Sequence, residues 1–150
     1  MFRFRLETLL RLRIAERDQR RADLAKALRA EEILRAQQVA LRGEQAEIAE
    51  RGRQLKSPGA GNVDALLQTH RYEIVLAARL RQLAAQMAEV AAETERRRLA
   101  LVEADRDVRV LEKLRERQAA AHRKTEERRD GKQFDELAIQ GFLREREVTP

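Results

Sequence analysis

From residue 66 to residue 111 the chain holds one seven-residue register almost without interruption, and little but a long helix can use such a register. One seam position falls on residues 66, 73, 80, 87, 94, 101 and 108, and its partner on 69, 76, 83, 90, 97, 104 and 111. The series reads Leu66, Thr69, Glu73, Leu76, Leu80, Leu83, Met87, Val90, Thr94, Arg97, Leu101, Ala104, Val108, Leu111. Ten of these fourteen are apolar, which gives an α-helix a narrow stripe to lay against another helix. Upstream, Leu34, Leu41, Ile48 and Leu55 also recur every seven residues. Two such helices joined by one turn make an all-α fold, a long two-helix antiparallel coiled-coil hairpin.

The first helix is expected over about residues 4–55. Its seam is poorer: Leu6, Arg13, Arg20, Ala27, Leu34, Leu41, Ile48 and Leu55 on one line, Leu10, Arg17, Leu24, Glu31, Gln38, Gln45 and Gly52 on the other. Ile14 and Leu28 lie beside it, so the stripe drifts as a 3.6-residue period does against a 3.5-residue one. The break is Lys56-Ser57-Pro58-Gly59-Ala60-Gly61-Asn62-Val63-Asp64. Pro58 cannot continue a helix, and Gly59, Gly61 and Asn62 tolerate positive φ. Asp64 stands where an N-cap would. The reading is therefore a single hairpin domain with a turn over 56–64 and a second helix over about 65–129. Asp130-Gly131 is a stop signal, and 130–150 form a short, mobile C-terminal tail carrying Phe134, Leu137, Ile139, Phe142 and Leu143. With residue 60 as the bend, Leu6 faces Leu114, and residues beyond about 120 overhang the N-terminus. Phe2 and Phe4 then have the small side chains of Ala119, Ala120 and Ala121 to lie on.

Composition removes most function classes. Charged residues make up 39% of the chain and aromatics 3%, so it buries seams rather than a broad core. With no Cys, disulfides and thiolate metal sites are excluded. No apolar run is long enough to span a membrane, and Met1-Phe2-Arg3-Phe4-Arg5-Leu6-Glu7 lacks the apolar stretch of a secretory signal. Residues 1–29 hold nine Lys or Arg against four Asp or Glu, whereas residues 119–150 hold seven of each. The net charge of +6 thus concentrates at the start of the first helix. A basic helix end suits an acidic partner, a nucleic acid or an anionic membrane, and otherwise reads as a solvated Arg-rich face.

No catalytic residues and no cofactor site are legible. His70 and Glu73 have i, i+3 spacing, but His122 is far along the chain, and two ligands without a third do not make a metal site. No phosphate loop or nucleophile motif is present, so the chain reads as non-enzymatic. Polar residues at seam positions (Glu73, Thr94, Arg97 and, on the first helix, Arg13, Arg17, Arg20, Glu31, Gln38, Gln45) imply a seam that is partly wet or open, or one whose register they specify. Between 72 and 83, Tyr72, Ile74, Val75, Leu76, Leu80 and Leu83 supply more apolar surface than one seam needs. All four Phe residues lie near the two termini, either packed on one another or exposed as a docking cluster.

Three motifs in order resemble the FliJ family of bacterial flagellar export proteins. They are Phe2-Arg3-Phe4-Arg5-Leu6-Glu7-Thr8-Leu9-Leu10-Arg11-Leu12-Arg13, then Val108-Arg109-Val110-Leu111-Glu112-Lys113-Leu114-Arg115-Glu116-Arg117, and Phe134-Asp135-Glu136-Leu137-Ala138. The resemblance implies a component of the flagellar type III export apparatus, similar in build to the central stalk of rotary ATPases. It also implies three partners: the hexameric flagellar export ATPase, whose assembly the family promotes, the cytoplasmic domain of the large export gate protein, and export chaperones. The implied location is cytoplasmic, held peripherally at the inner-membrane flagellar base through protein partners. Carried onto this chain, Phe2, Arg3, Phe4, Arg5, Leu6, Arg11, Arg13, Leu111, Leu114 and Arg115 form the ATPase-facing end, and Tyr72, Leu76 and Leu80 the gate-facing patch.

Two alternatives remain from the sequence: the equivalent stalk protein of a virulence injectisome, and a basic coiled coil that binds nucleic acid. Few aromatics for stacking and interleaved acids argue against stable nucleic-acid binding.

Overall fold

The computed structural model describes the backbone of residues 2–59 and 61–148 and side chains as far as Phe142. It has two helices, α1 (Glu7–Leu55) and α2 (Val63–Val148), connected by the turn that Pro58 and its glycines impose. Gly59 (φ 93°) and Gly61 (φ 49°) both take the left-handed backbone, which a Cβ would oppose. α1 begins three residues later than its stripe suggests, because Phe4 accepts a turn bond from the Glu7 amide at 3.3 Å.

Both boundaries of α2 differ from expectation. Asn62, not Asp64, caps α2: its Oδ1 accepts from the Ala65 amide at 3.1 Å, and its carbonyl accepts from Leu66 at 3.2 Å. Gly61 in the left-handed region turns Asn62 into the capping position, leaving Asp64 in the first turn, where its charge meets the positive end of the helix dipole. α2 also runs through Asp130-Gly131 to Val148. Gly131 and Gly141 each cost the helix about 1 kcal/mol, and the good helix formers around them, with no proline among them, absorb that.

The chain divides into two compact units, Met1–Arg17 with Ala104–Pro150, and Asp18–Glu103. In the first, Phe4, Leu10 and Val108 form a buried cluster, and Phe2, Ile14, Leu111 and Leu114 pack against it. In the second, the buried residues are Ala27, Gly52, Thr69, Leu76, Leu83 and Thr94. The register predicted for α2 holds residue by residue: all fourteen seam positions are buried or half-buried. Both units pair the helices antiparallel about residue 60. Arg13 Nη1 lies 3.6 Å from Asp107 in the first, and Arg97 Nη1 donates to the Asp23 carbonyl at 2.6 Å in the second.

Three polar seam positions of α2 find partners within the protein, whereas Arg20 and Gln45 of the α1 seam are exposed, so the seam is open there. Thr69 Oγ1 donates to the Ala65 carbonyl (2.8 Å) and Thr94 Oγ1 to the Val90 carbonyl (2.9 Å), one turn back in each case. Arg97 bridges Asp23 and its own Glu93, whose Oε1 accepts from Nε at 2.8 Å. Among the described residues no buried side-chain polar atom lacks a partner.

Candidate functional site

The ten residues assigned to the ATPase-facing end all fall in the first unit, where packing sorts them into two groups. Phe4 is buried, and Phe2, Leu111 and Leu114 are half-buried around Leu10 and Val108. The Phe2 ring lies 5.8 Å from that of His122, tilted by 58°, so neither N-terminal Phe is an exposed hook. Phe134 and Phe142 stay exposed, and the side chain of Leu143 lies outside the described residues. The four Phe residues therefore do not make one cluster.

Four of the five cationic members are exposed, and Arg13 is half-buried. Arg3 and Arg5 are exposed. Arg11 is largely exposed beside Glu7 at 3.7 Å, Arg13 sits between Glu16 (2.9 Å) and Asp107 (3.6 Å), and Arg115 reaches Glu7 at 3.8 Å. Exposed pairs of this kind hold their partners weakly, so an acidic surface can recruit these guanidiniums. Leu6, at 37% exposure, is joined by Leu9 and Leu12, which are also exposed and which the motif reading passed over. Their signal was available, since 9 and 12 are three residues apart and off the seam. This unit thus presents apolar and cationic groups on a backbone fixed by its own small core.

The patch assigned to the gate lies in the second unit and needs correction. Leu76 is fully buried in the seam, so it touches no partner directly. Leu80 is half-buried, and Tyr72 is exposed with its hydroxyl donating to Glu44 Oε2 at 3.1 Å. That hydrogen bond raises the Tyr72 pKa above its ordinary value, because the phenol must keep its proton to donate. The exposed apolar groups here are Ile74 and Val75. Arg97, and to a lesser extent Arg96, hold the Glu93 carboxyl below the usual range, as Arg53 does for Glu50.

His70 Nδ1 lies 3.5 Å from Glu73 Oε2 and His122 Nδ1 lies 3.3 Å from Glu126 Oε2. Among the described residues no group of three or more His, Asp or Glu could hold a metal, and no helix is long and apolar enough to cross a membrane.

The profile of the FliJ family, flagellar FliJ protein, matches residues 1–147. The chain belongs to the FliJ family. No curated protein and no solved structure matches it. FliJ membership makes the chain a component of the flagellar export apparatus and favours the flagellar over the injectisome reading. In this FliJ chain the family match, over residues 1–147, takes in residues of both units.

Proposed function

We propose that this protein acts as a stalk-like coiled coil that binds the hexameric flagellar export ATPase through its first unit, promotes assembly and activity of the ring, and links it to the export gate and export chaperones. The observation that carries the reading is the division of labour in that unit. Phe4, Leu10 and Val108 set the backbone, while Arg3, Arg5, Leu9, Arg11 and Leu12 stand exposed. A basic surface studded with apolar side chains suits a partner surface that offers acidic groups around apolar ones. Phe2, Leu111 and Leu114 support that surface, and Arg13 and Arg115 complete its charge. The gate contact falls to Tyr72 and Leu80, with Leu76 holding the seam beneath them. The protein is then held peripherally at the cytoplasmic side of the flagellar base by these partners.

The test is ATP hydrolysis by the cognate export ATPase at low enzyme concentration, with and without the protein. Deleting residues 1–13 would also remove Phe4 and Leu10 and so dismantle the unit's core. The informative variant is Arg3→Glu with Arg5→Glu and Arg11→Glu, all at exposed positions. Stimulation by the parent chain and its loss in this variant, at unchanged helicity, supports the proposal. Equal stimulation by both moves the contact elsewhere, and none by either removes the ATPase reading.

A further inference from the structure

α2 carries a second apolar stripe on the side turned away from α1, within residues 67–102 of the second unit. The positions one and five residues after each seam residue of the 66, 73, 80 series are 67, 71, 74, 78, 81, 85, 88, 92, 95, 99 and 102. All eleven are exposed. In a hairpin of two helices these positions should be charged or polar. Instead they read Leu67, Arg71, Ile74, Ala78, Arg81, Ala85, Ala88, Ala92, Glu95, Leu99 and Val102, with three charges in eleven. Leu67, Ile74, Leu99 and Val102 are each at least half exposed. The equivalent outward face of α1 (residues 18, 22, 25, 29, 32, 36, 39, 43, 46 and 50) has one large apolar residue, Val39, and four charges. The feature therefore belongs to α2 and is not general to the chain.

We infer that this face docks a second copy of the chain, with the two α2 helices antiparallel and related by a two-fold axis near residue 83. The charges select both occupant and direction. About that axis Arg71 of each copy stands opposite Glu95 of the other, Leu67 opposite Leu99, Ile74 opposite Ala92 and Ala78 opposite Ala88. Every layer thus pairs one position type with the other, as the two seam positions alternate across an antiparallel coiled coil. A two-fold makes each of these matches twice. Parallel pairing in register would instead set Arg71 on Arg71, Arg81 on Arg81 and Glu95 on Glu95, three like-charge layers. Arg81 falls opposite Ala85, where its stem lies along a small side chain while the guanidinium reaches water. Alanines in the middle layers let the helices approach closely, Leu67 and Leu99 close the ends, and Val102 falls beyond them opposite Asp64. Glu95 is available for this role, since its pairing with Arg98 in its own helix is long, at 3.5 Å, and exposed on both sides.

Sedimentation equilibrium of the full chain over about a hundredfold range of concentration reads the association directly. A dimer is expected, and Leu99→Glu should weaken it at least tenfold, because the variant places a carboxylate in two symmetric apolar layers. Arg71→Glu alone and Glu95→Arg alone should each weaken it about tenfold, and the two together should restore it. Far-UV circular dichroism unchanged across the set separates lost docking from lost folding. The chain has no Cys, so Leu67→Cys with Leu99→Cys should give a disulfide between chains, while Leu67→Cys alone should not. A mass that stays monomeric at every concentration overturns the inference. So does a dimer indifferent to Leu99→Glu, or a cross-link formed by Leu67→Cys alone.

Discussion

Around Phe4, Leu10 and Val108 the helices are held by large apolar side chains, whereas Asp18–Glu103 places Ala27, Gly52, Thr69 and Thr94 among its buried residues and only Leu76 and Leu83 as large ones. The first unit gains its cohesion from apolar area taken out of water over a short length. The second spreads smaller contacts over many turns and adds groups that specify alignment, above all the Arg97 bridge to the Asp23 carbonyl. Large residues resist unfolding, while small and polar ones discriminate against a slipped register, where their partners would be lost. A protein that must present fixed surface groups needs both.

The largest expected effect comes from emptying the first unit. Leu10 is 2% exposed, so Leu10→Ala should destabilise by about 2–5 kcal/mol, read as a lower urea midpoint. A change under about 0.5 kcal/mol would mean that the cluster does not anchor the unit. Next, Ala27→Leu enlarges a residue 5% exposed in the second unit and should cost about 1–3 kcal/mol by overpacking. If it stabilised instead, the small residues there would be unfilled space rather than a fitted seam.

Arg97→Met keeps most of the stem but removes the donors to Asp23 and Glu93, and should cost about 1 kcal/mol, since the side chain is one-third exposed. Engineered disulfide pairs set one heptad apart would report whether register also loosens. Gly52→Ala runs the other way. A Cβ there meets Thr69 Cγ2 at 3.6 Å and Glu73 Oε1 at 3.5 Å, ordinary contact distances, so the gain in helix propensity, about 0.5–1 kcal/mol, should raise the melting temperature. A loss would show the helices closer at Gly52 than a methyl allows.

The smallest effects are those of pH, and they belong to the second unit. Glu93 is held below its ordinary value, so its contribution is present above about pH 4.5 and fades as pH falls through the depressed value. Tyr72 is raised, so its contribution is complete below about pH 10 and fades as pH rises through the raised value. Arg97→Met should flatten the acid limb and Glu44→Gln the alkaline one, in thermal melts taken across pH.

Much of the fold was legible because a heptad is a geometric instruction. Once Leu66 and Thr69 are taken as seam positions, the burial of Leu76, Leu83, Thr94, Ala104 and Val108 follows from helix periodicity alone. The same logic shows why Leu76 was a poor choice for a docking patch: a seam residue cannot also face a partner. The cap and the end of α2 were less legible. Asn62 and Asp64 are both good caps, and only the left-handed Gly61 decides between them. Gly131 reads as a stop signal locally, but the helix formers on both sides carry the helix through.

The sequence by itself determined the two-helix class, the seam of α2, the antiparallel pairing about residue 60 and, through its three ordered motifs, the family. All of these depend on periodicity and local chemistry, which a linear chain displays. Only the tertiary structure decided which candidates are surface and which are support. Phe4 is buried while Arg3 and Arg5 are exposed, and Leu76 is sealed while Ile74 and Val75 are open. It also showed that Arg97 reaches Asp23 across the seam, a bond between residues far apart in sequence. The physical reason is that burial and long-range hydrogen bonding are properties of two faces brought together, and neither face carries them alone.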